Sequence, residues 1–149
     1  MLKLTKKADY GLIALRHLAL NPAGASATEI ARTYGMPMPL LSKVLQKLAR
    51  SGLLLAAHGT NGGYRLSRVP ERITALEVVR AIDGPVILTS CFTQQGSCYQ
   101  SGKCSVREPL RKIHEGILDL LENITIAGIA QDTPPAAESL APLTVLETV

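Results

Sequence analysis

Apolar residues recur at helical spacing over residues 5–20, where Ala8, Leu12, Leu15, Leu18 and Ala19 share one face and Lys6, Asp9 and Arg16 fall elsewhere. Asn21-Pro22-Ala23-Gly24 breaks that pattern. Ser26-Ala27-Thr28-Glu29 reads as a capping box, its Ser hydroxyl and Glu carboxylate serving the free amides of a helix start. The helix it opens is short, with Ile30, Ala31 and Tyr34 on its apolar side and Gly35 suited to its stop. Met36-Pro37-Met38 separates it from a third helix that begins near Pro39. There Leu41, Val44, Leu45 and Leu48 form a buried stripe, Ser42, Lys43, Gln46, Lys47 and Arg50 point away, and Gly52 closes the element. A short helix, a tight turn and a helix with a polar, basic outer face make a helix-turn-helix pattern.

Leu53-Leu54-Leu55-Ala56-Ala57 is too short and apolar for a further helix and reads as a strand. Gly59-Thr60-Asn61-Gly62-Gly63 can turn sharply, and Tyr64-Arg65-Leu66 returns as a second strand. A hairpin directly after the basic helix is a wing, whose His58, Arg65 and Arg68 are placed to reach phosphates or a minor groove. Thr74-Ala75-Leu76-Glu77 is a second capping box, opening a helix with Leu76, Val79 and Ile82 inward and Gly84-Pro85 at its end. Residues 85–104 have no regular period. From Glu108 to Asn123 a longer helix carries Leu110, Ile113, Ile117, Leu120, Leu121 and Ile124 on one stripe, longer than a small domain buries alone and suited to a dimer seam. Residues 124–129 read as a final short turn of helix.

The expected fold is therefore mainly α with a small β-hairpin: a winged helix-turn-helix domain at 1–84, a cysteine loop at 85–105, a dimerisation helix and short terminal helix at 106–130, and a flexible tail at 131–149.

Charge sharpens this picture. The net charge is +4. Residues 1–80 hold twelve Lys/Arg against four Asp/Glu, an excess of eight positive charges, whereas 81–149 hold four against eight. A basic N-terminal half is the electrostatic footprint of a polyanion binder. Aromatics make up only 3%, which disfavours an RNA-binding sheet of stacked rings. Asp9, Arg16 and His17 interrupt the first apolar run, and no stretch approaches the ~20 apolar residues of a membrane span, so a cytoplasmic protein without a membrane partner is expected. No nucleophile–base pair, phosphate loop or paired acids stand out, so neither an enzyme nor a small-molecule substrate is expected.

Cys91, Cys98 and Cys104 lie within fourteen residues, separated by six and then five positions. An odd, clustered set argues for metal or redox chemistry over a disulfide framework. The loop has little apolar material of its own, and a bound metal centre would supply the missing ordering energy. Thiolates suit an iron–sulfur cluster. Zinc prefers close cysteine pairs, which are absent, and a bare thiol switch needs only two of the three. His114, ten residues past Cys104, and Asp9 are the available fourth ligands.

Leu4-Thr5-Lys6-Lys7-Ala8-Asp9-Tyr10, the wing Gly59-Thr60-Asn61-Gly62-Gly63-Tyr64-Arg65-Leu66, the three-cysteine loop and Asn123-Ile124-Thr125-Ile126 together resemble the Rrf-two family of bacterial winged-helix regulators over about residues 1–130. Within that family the chain looks similar to regulators of SUF iron–sulfur assembly. The resemblance implies a homodimer crossed by the long helix on a pseudo-palindromic double-stranded operator. It places DNA contacts at Pro39, Ser42 and Lys43 on the recognition helix and at His58 and Thr60 on the wing; Thr28, Lys47 and Arg65 are further candidate DNA contacts from the helix-turn-helix and wing pattern itself. Pro39, Ser42, Lys43 and His58 differ from the iron–sulfur branch, so its operator does not transfer. Cys91, Cys98 and Cys104 match the family's cluster cysteines. Arg107 stands where that branch has a ligating histidine, whereas Asp9 matches an aspartate that nitric-oxide-sensing members lend across the dimer. The implied function is an iron–sulfur-dependent transcriptional repressor with a [4Fe–4S] cluster, or less favoured a [2Fe–2S] one, sensing cluster status, iron, redox state or nitric oxide. The alternative is a metal-free, thiol-based redox regulator.

Overall fold

The computed structural model describes residues 3–59, 62–93 and 98–132. Helix α1 (Lys6–Leu20) is started by Thr5, whose hydroxyl accepts from the Ala8 N–H at 3.1 Å. Its buried face is Ala8, Gly11, Ala14, Leu15, His17 and Leu18, with Leu12 and Ala19 only partly covered at the core's edge. The seam thus runs along smaller residues than the leucine-based expectation, because α1 packs closely against its neighbours.

Helices α2 (Ala27–Tyr34) and α3 (Met38–Arg50) follow. The Ser26 hydroxyl accepts from the Glu29 N–H, and Gly35 ends α2 in the left-handed region at φ +63°, its N–H returning to Ala31. Leu41, Val44, Leu45 and Leu48 are the buried face of α3, as expected. Each such side chain contributes about 1.5–3 kcal/mol of hydrophobic stabilisation, so the inner face holds the helix and leaves the outer face free for other work.

The wing is an antiparallel pair, β1 (Leu54–Ala57) with β2 (Gly63–Leu66), in the register Leu54↔Leu66 to Ala57↔Gly63. A bridge from Ala25 to Tyr64 ties it to the entrance of α2. That bridge needs Gly24, which has φ +97° and where a Cβ would lie 2.7 Å from the Tyr64 carbonyl oxygen. After a single 3₁₀ turn (Pro70–Arg72), α4 (Ala75–Asp83) starts with both arms of the Thr74/Glu77 capping box formed. It buries Ala75 and Val78 besides Leu76, Val79 and Ile82.

The core is shared by α1, α2, α3, α4 and the root of the wing, closed by Ile126 from α6 (Ile126–Gln131). Between α4 and α6 runs α5 (Arg107–Asn123), in which no residue is buried. The end of α5 is stitched back by Ala75 N–H to the Ile124 carbonyl, 2.8 Å, and Ile126 N–H to the Ile73 carbonyl, 2.9 Å. Gln131, assigned to the tail by sequence, is the last residue of α6; residues 133–149 lie outside the described residues. Among the described residues no helix is long and apolar enough to cross a membrane.

Candidate functional site

The outer face of α3 presents Pro39, Lys43 and Lys47 to solvent with Ser42 half-buried, and Thr28 is exposed in the first turn of α2. His58 leaves the end of β1 exposed, and Arg65 is exposed on β2 opposite Leu55. Thr60 lies outside the described residues. Lys7, Lys43, Gln46, Lys47 and Arg50 line a groove of about 210 Å³ beside α3 whose walls, among the described residues, carry no carboxylate. Such a cationic rim suits phosphate.

Two basic side chains expected to reach DNA are engaged inside the chain. Arg68 is turned back to Glu77 of α4, 2.7 Å, and so is drawn off the wing's reach. Lys47 donates from Nζ to the Ile82 carbonyl at the end of α4, 2.8 Å. His17 was not foreseen as buried. It is 9% exposed, its Nδ1 lies 3.0 Å from the Tyr34 hydroxyl, and the two rings meet edge to face. That contact fixes the end of α2, where the chain turns toward α3. Periodicity alone could not reveal it, since it joins two helices through one polar position on each.

All three cysteines are free and half-buried. Cys91 sits in a 3₁₀ turn (Ser90–Phe92), and Cys104 lies just ahead of α5. Phe92 stacks on His114 of α5 with centroids 5.2 Å apart, and His114 Nδ1 and Thr89 Oγ1 are buried without a partner among the described residues. No three of the described His, Cys, Asp and Glu side chains are gathered close enough to hold a metal ion. Asp9 is half-exposed in the first turn of α1 and pairs with Lys6, 3.1 Å, which raises the Lys6 pKa above its ordinary value. No described residue from 83 to 125 is buried.

A basic helix set on its inner stripe, led into by a short capped helix and flanked by a two-stranded wing, defines a winged-helix DNA-binding regulator. Residues 4–132 match the family model described as Rrf2, iron-dependent transcriptional regulator. The chain belongs to this family of transcriptional regulators. Among solved structures it is similar to CymR (YrzC), the global cysteine regulator of B. subtilis, at 26% identity and TM-score 0.77 over 90% of this chain and 100% of that one. It is also similar to IscR of T. potens, at 26% identity and TM-score 0.65 over 89% and 93%. Staphylococcus aureus CymR shares the fold at 23% identity and TM-score 0.70 over 87% and 99%.

Proposed function

We propose that this regulator is an iron–sulfur-dependent repressor, a homodimer on a pseudo-palindromic operator, whose targets include iron–sulfur assembly genes. The observation that carries the reading is the contrast between three free thiols and a segment that builds no core: no described residue from 83 to 125 is buried. Such a segment gains its order from outside the chain's own packing, and a thiolate-bound centre supplies it because ligand binding free energy becomes folding free energy. The donor set fits: three thiols, none tied in a disulfide and none deeply buried. Cys91, Cys98 and Cys104 would hold a [4Fe–4S] cluster, with Asp9 of the partner subunit as the oxygen ligand. The cluster would supply a centre reactive toward oxygen and nitric oxide. Asp9 would leave Lys6 to take that role, at little cost because a solvent-exposed ion pair is largely screened.

The exposed stripe of α5 supports the dimer. Ile113 is 52% and Leu120 62% exposed, and Leu4, Val79, Ile117 and Leu121 line an apolar hollow of about 370 Å³ beside it. Two copies crossing there would set the spacing of two recognition helices, on which half-site fit depends.

The test is a visible spectrum with iron and sulfide analysis on anaerobically purified protein. A brown sample whose colour is lost in Cys98→Ala and short-lived in Asp9→Ala is expected. A sample that stays colourless after reconstitution with iron and sulfide rejects the cluster. The second reading, a bare thiol switch, is favoured by the separation of the three thiols, which are not gathered for a metal. It requires operator binding that changes with oxidant in metal-free protein.

A further inference from the structure

The last turn of α4 is held from two sides. The Lys47 ammonium, on the recognition helix, donates to the Ile82 carbonyl, 2.8 Å. The Thr5 hydroxyl, at the start of α1, donates to the Asp83 carboxylate at 2.7 and 2.9 Å. Gly84 then turns the chain at φ +83° into the segment that carries the cysteines.

We propose that Lys47 is a positioning residue that couples the cysteine segment to the recognition helix, rather than a DNA contact. The proposal rests on the reading that the state of the cysteines governs operator affinity. A helix's final carbonyls lack intrahelical partners and carry the negative end of its dipole, so a lysine there is well placed. Ile82 O is such a carbonyl, and Lys47 fills it from another helix. Lys43, one turn earlier on the same stripe of α3, makes no hydrogen bond among the described residues and is free for DNA. Displacing the cysteine segment pulls first on Gly84 and the two residues before it. The Lys47 bond conveys that pull to α3, at a point one turn from Lys43. A contact kept in one state and lost in the other would supply the coupling free energy.

The test uses full-length protein and a duplex that the wild type has selected from a random-sequence pool. Fluorescence anisotropy gives Kd for the metal-free reduced protein and for protein reconstituted with iron and sulfide, across a salt series, for wild type, Lys47→Met and Lys47→Arg. Lys47→Met keeps the apolar stem and removes the donor. Its ratio of Kd between the two states should fall by about fivefold or more, within the usual range of allosteric couplings, while its salt slope stays at the wild-type value. Lys47→Arg, which restores a cationic donor, should recover the ratio. In metal-free Lys47→Met without DNA, amide exchange at Asp83 and Gly84 should quicken, a readout that owes nothing to the cluster.

Loss of affinity by the same factor in both states, with a slope smaller by about one, would make Lys47 a phosphate contact and overturn the proposal. So would an unchanged ratio in Lys47→Met. If the wild type itself binds equally in both states, the regulatory reading fails and takes the coupling with it; that failure shows in the wild type and cannot be mistaken for the others.

Discussion

The Thr5 hydroxyl serves two helices at once, accepting from the Ala8 N–H to start α1 and donating to the Asp83 carboxylate to anchor the end of α4. Valine at this position keeps the branched shape and loses both bonds. Thr5→Val should cost about 1 kcal/mol, the usual loss for a helix cap, whereas Thr5→Ser should stay close to wild type. Chemical denaturation of the three proteins measures the difference; equal midpoints for Val and Ser would show that the hydroxyl contributes nothing.

Gly11 of α1 faces the Ile82 side chain of α4. A Cβ on Gly11 would lie 2.3 Å from Ile82 Cδ1, with Val78 and Val44 next at 3.5 and 3.6 Å. Alanine gains about 1 kcal/mol in helix propensity over glycine, but overpacking a filled core costs about 1–3 kcal/mol. Ile82 is 3% exposed and has little room to swing aside. Gly11→Ala should therefore destabilise on balance. Ile82→Val removes the offending methyl, so the double variant should be more stable than the two single losses added together. A double-mutant cycle that came out additive would sink the idea that these residues compete for one space.

These two pairs also show where the sequence was legible. The inner stripe of α3 and the second capping box could be read because each depends on neighbours three or four positions apart. Gly11 and Ala14 were not foreseen on the seam, since a glycine or alanine signals close packing only when its partner helix is known. The ties from Thr5 to Asp83 and from Lys47 to Ile82 span 78 and 35 positions and leave no local pattern. At the candidate site, residue types were readable and their grouping was not. The cysteines stood out by spacing, but which of them approach one another depends on a segment with no periodicity.

The Glu77 carboxyl is pushed up by burial, yet hydrogen bonds from the Thr74 N–H and the Arg68 guanidinium outweigh this and hold it below its ordinary value of 4.5. A pKa lowered by folding means stability that is present above the unfolded value and lost as pH falls through the folded one. Wild type should therefore exceed Glu77→Gln in melting temperature at neutral pH, and the gap should close as the pH drops below about 4.5. Thr74→Ala should cost about 1 kcal/mol near neutrality. A gap between wild type and Glu77→Gln that persisted unchanged into acid would contradict this assignment.

Helix α5 offers a separation of folding from assembly. Ile113 and Leu120 are more than half exposed and take no part in the chain's own core. Ile113→Glu with Leu120→Glu should leave the far-ultraviolet spectrum of the winged domain intact. In the proposed dimer, those charges would face apolar side chains of the second copy and lose hydration without gaining partners. Sedimentation should show a dimer for wild type and a monomer for the variant at the same concentration, and operator affinity should fall with it. A variant that remained dimeric would move the interface elsewhere.

Lys43 provides the sharpest test of the reading face. It is exposed on the outer side of α3, lines the cationic groove with Lys7 and Arg50, and has no hydrogen bond within the chain among the described residues. Its stem is not part of the buried stripe, so Lys43→Ala should leave stability within about 0.5 kcal/mol of wild type, as for most surface changes. Its effect on DNA then separates two roles. If the ammonium meets phosphate, affinity should drop by a similar factor for every duplex and the salt slope should shrink by about one. If it reads a base edge, the loss should amount to about 1–3 kcal/mol at one operator position, and discrimination there should relax. Both outcomes keep Lys43 on the DNA. Equal affinity and an equal salt slope would take it off, leaving the wing residues His58 and Arg65 to carry more of the contact.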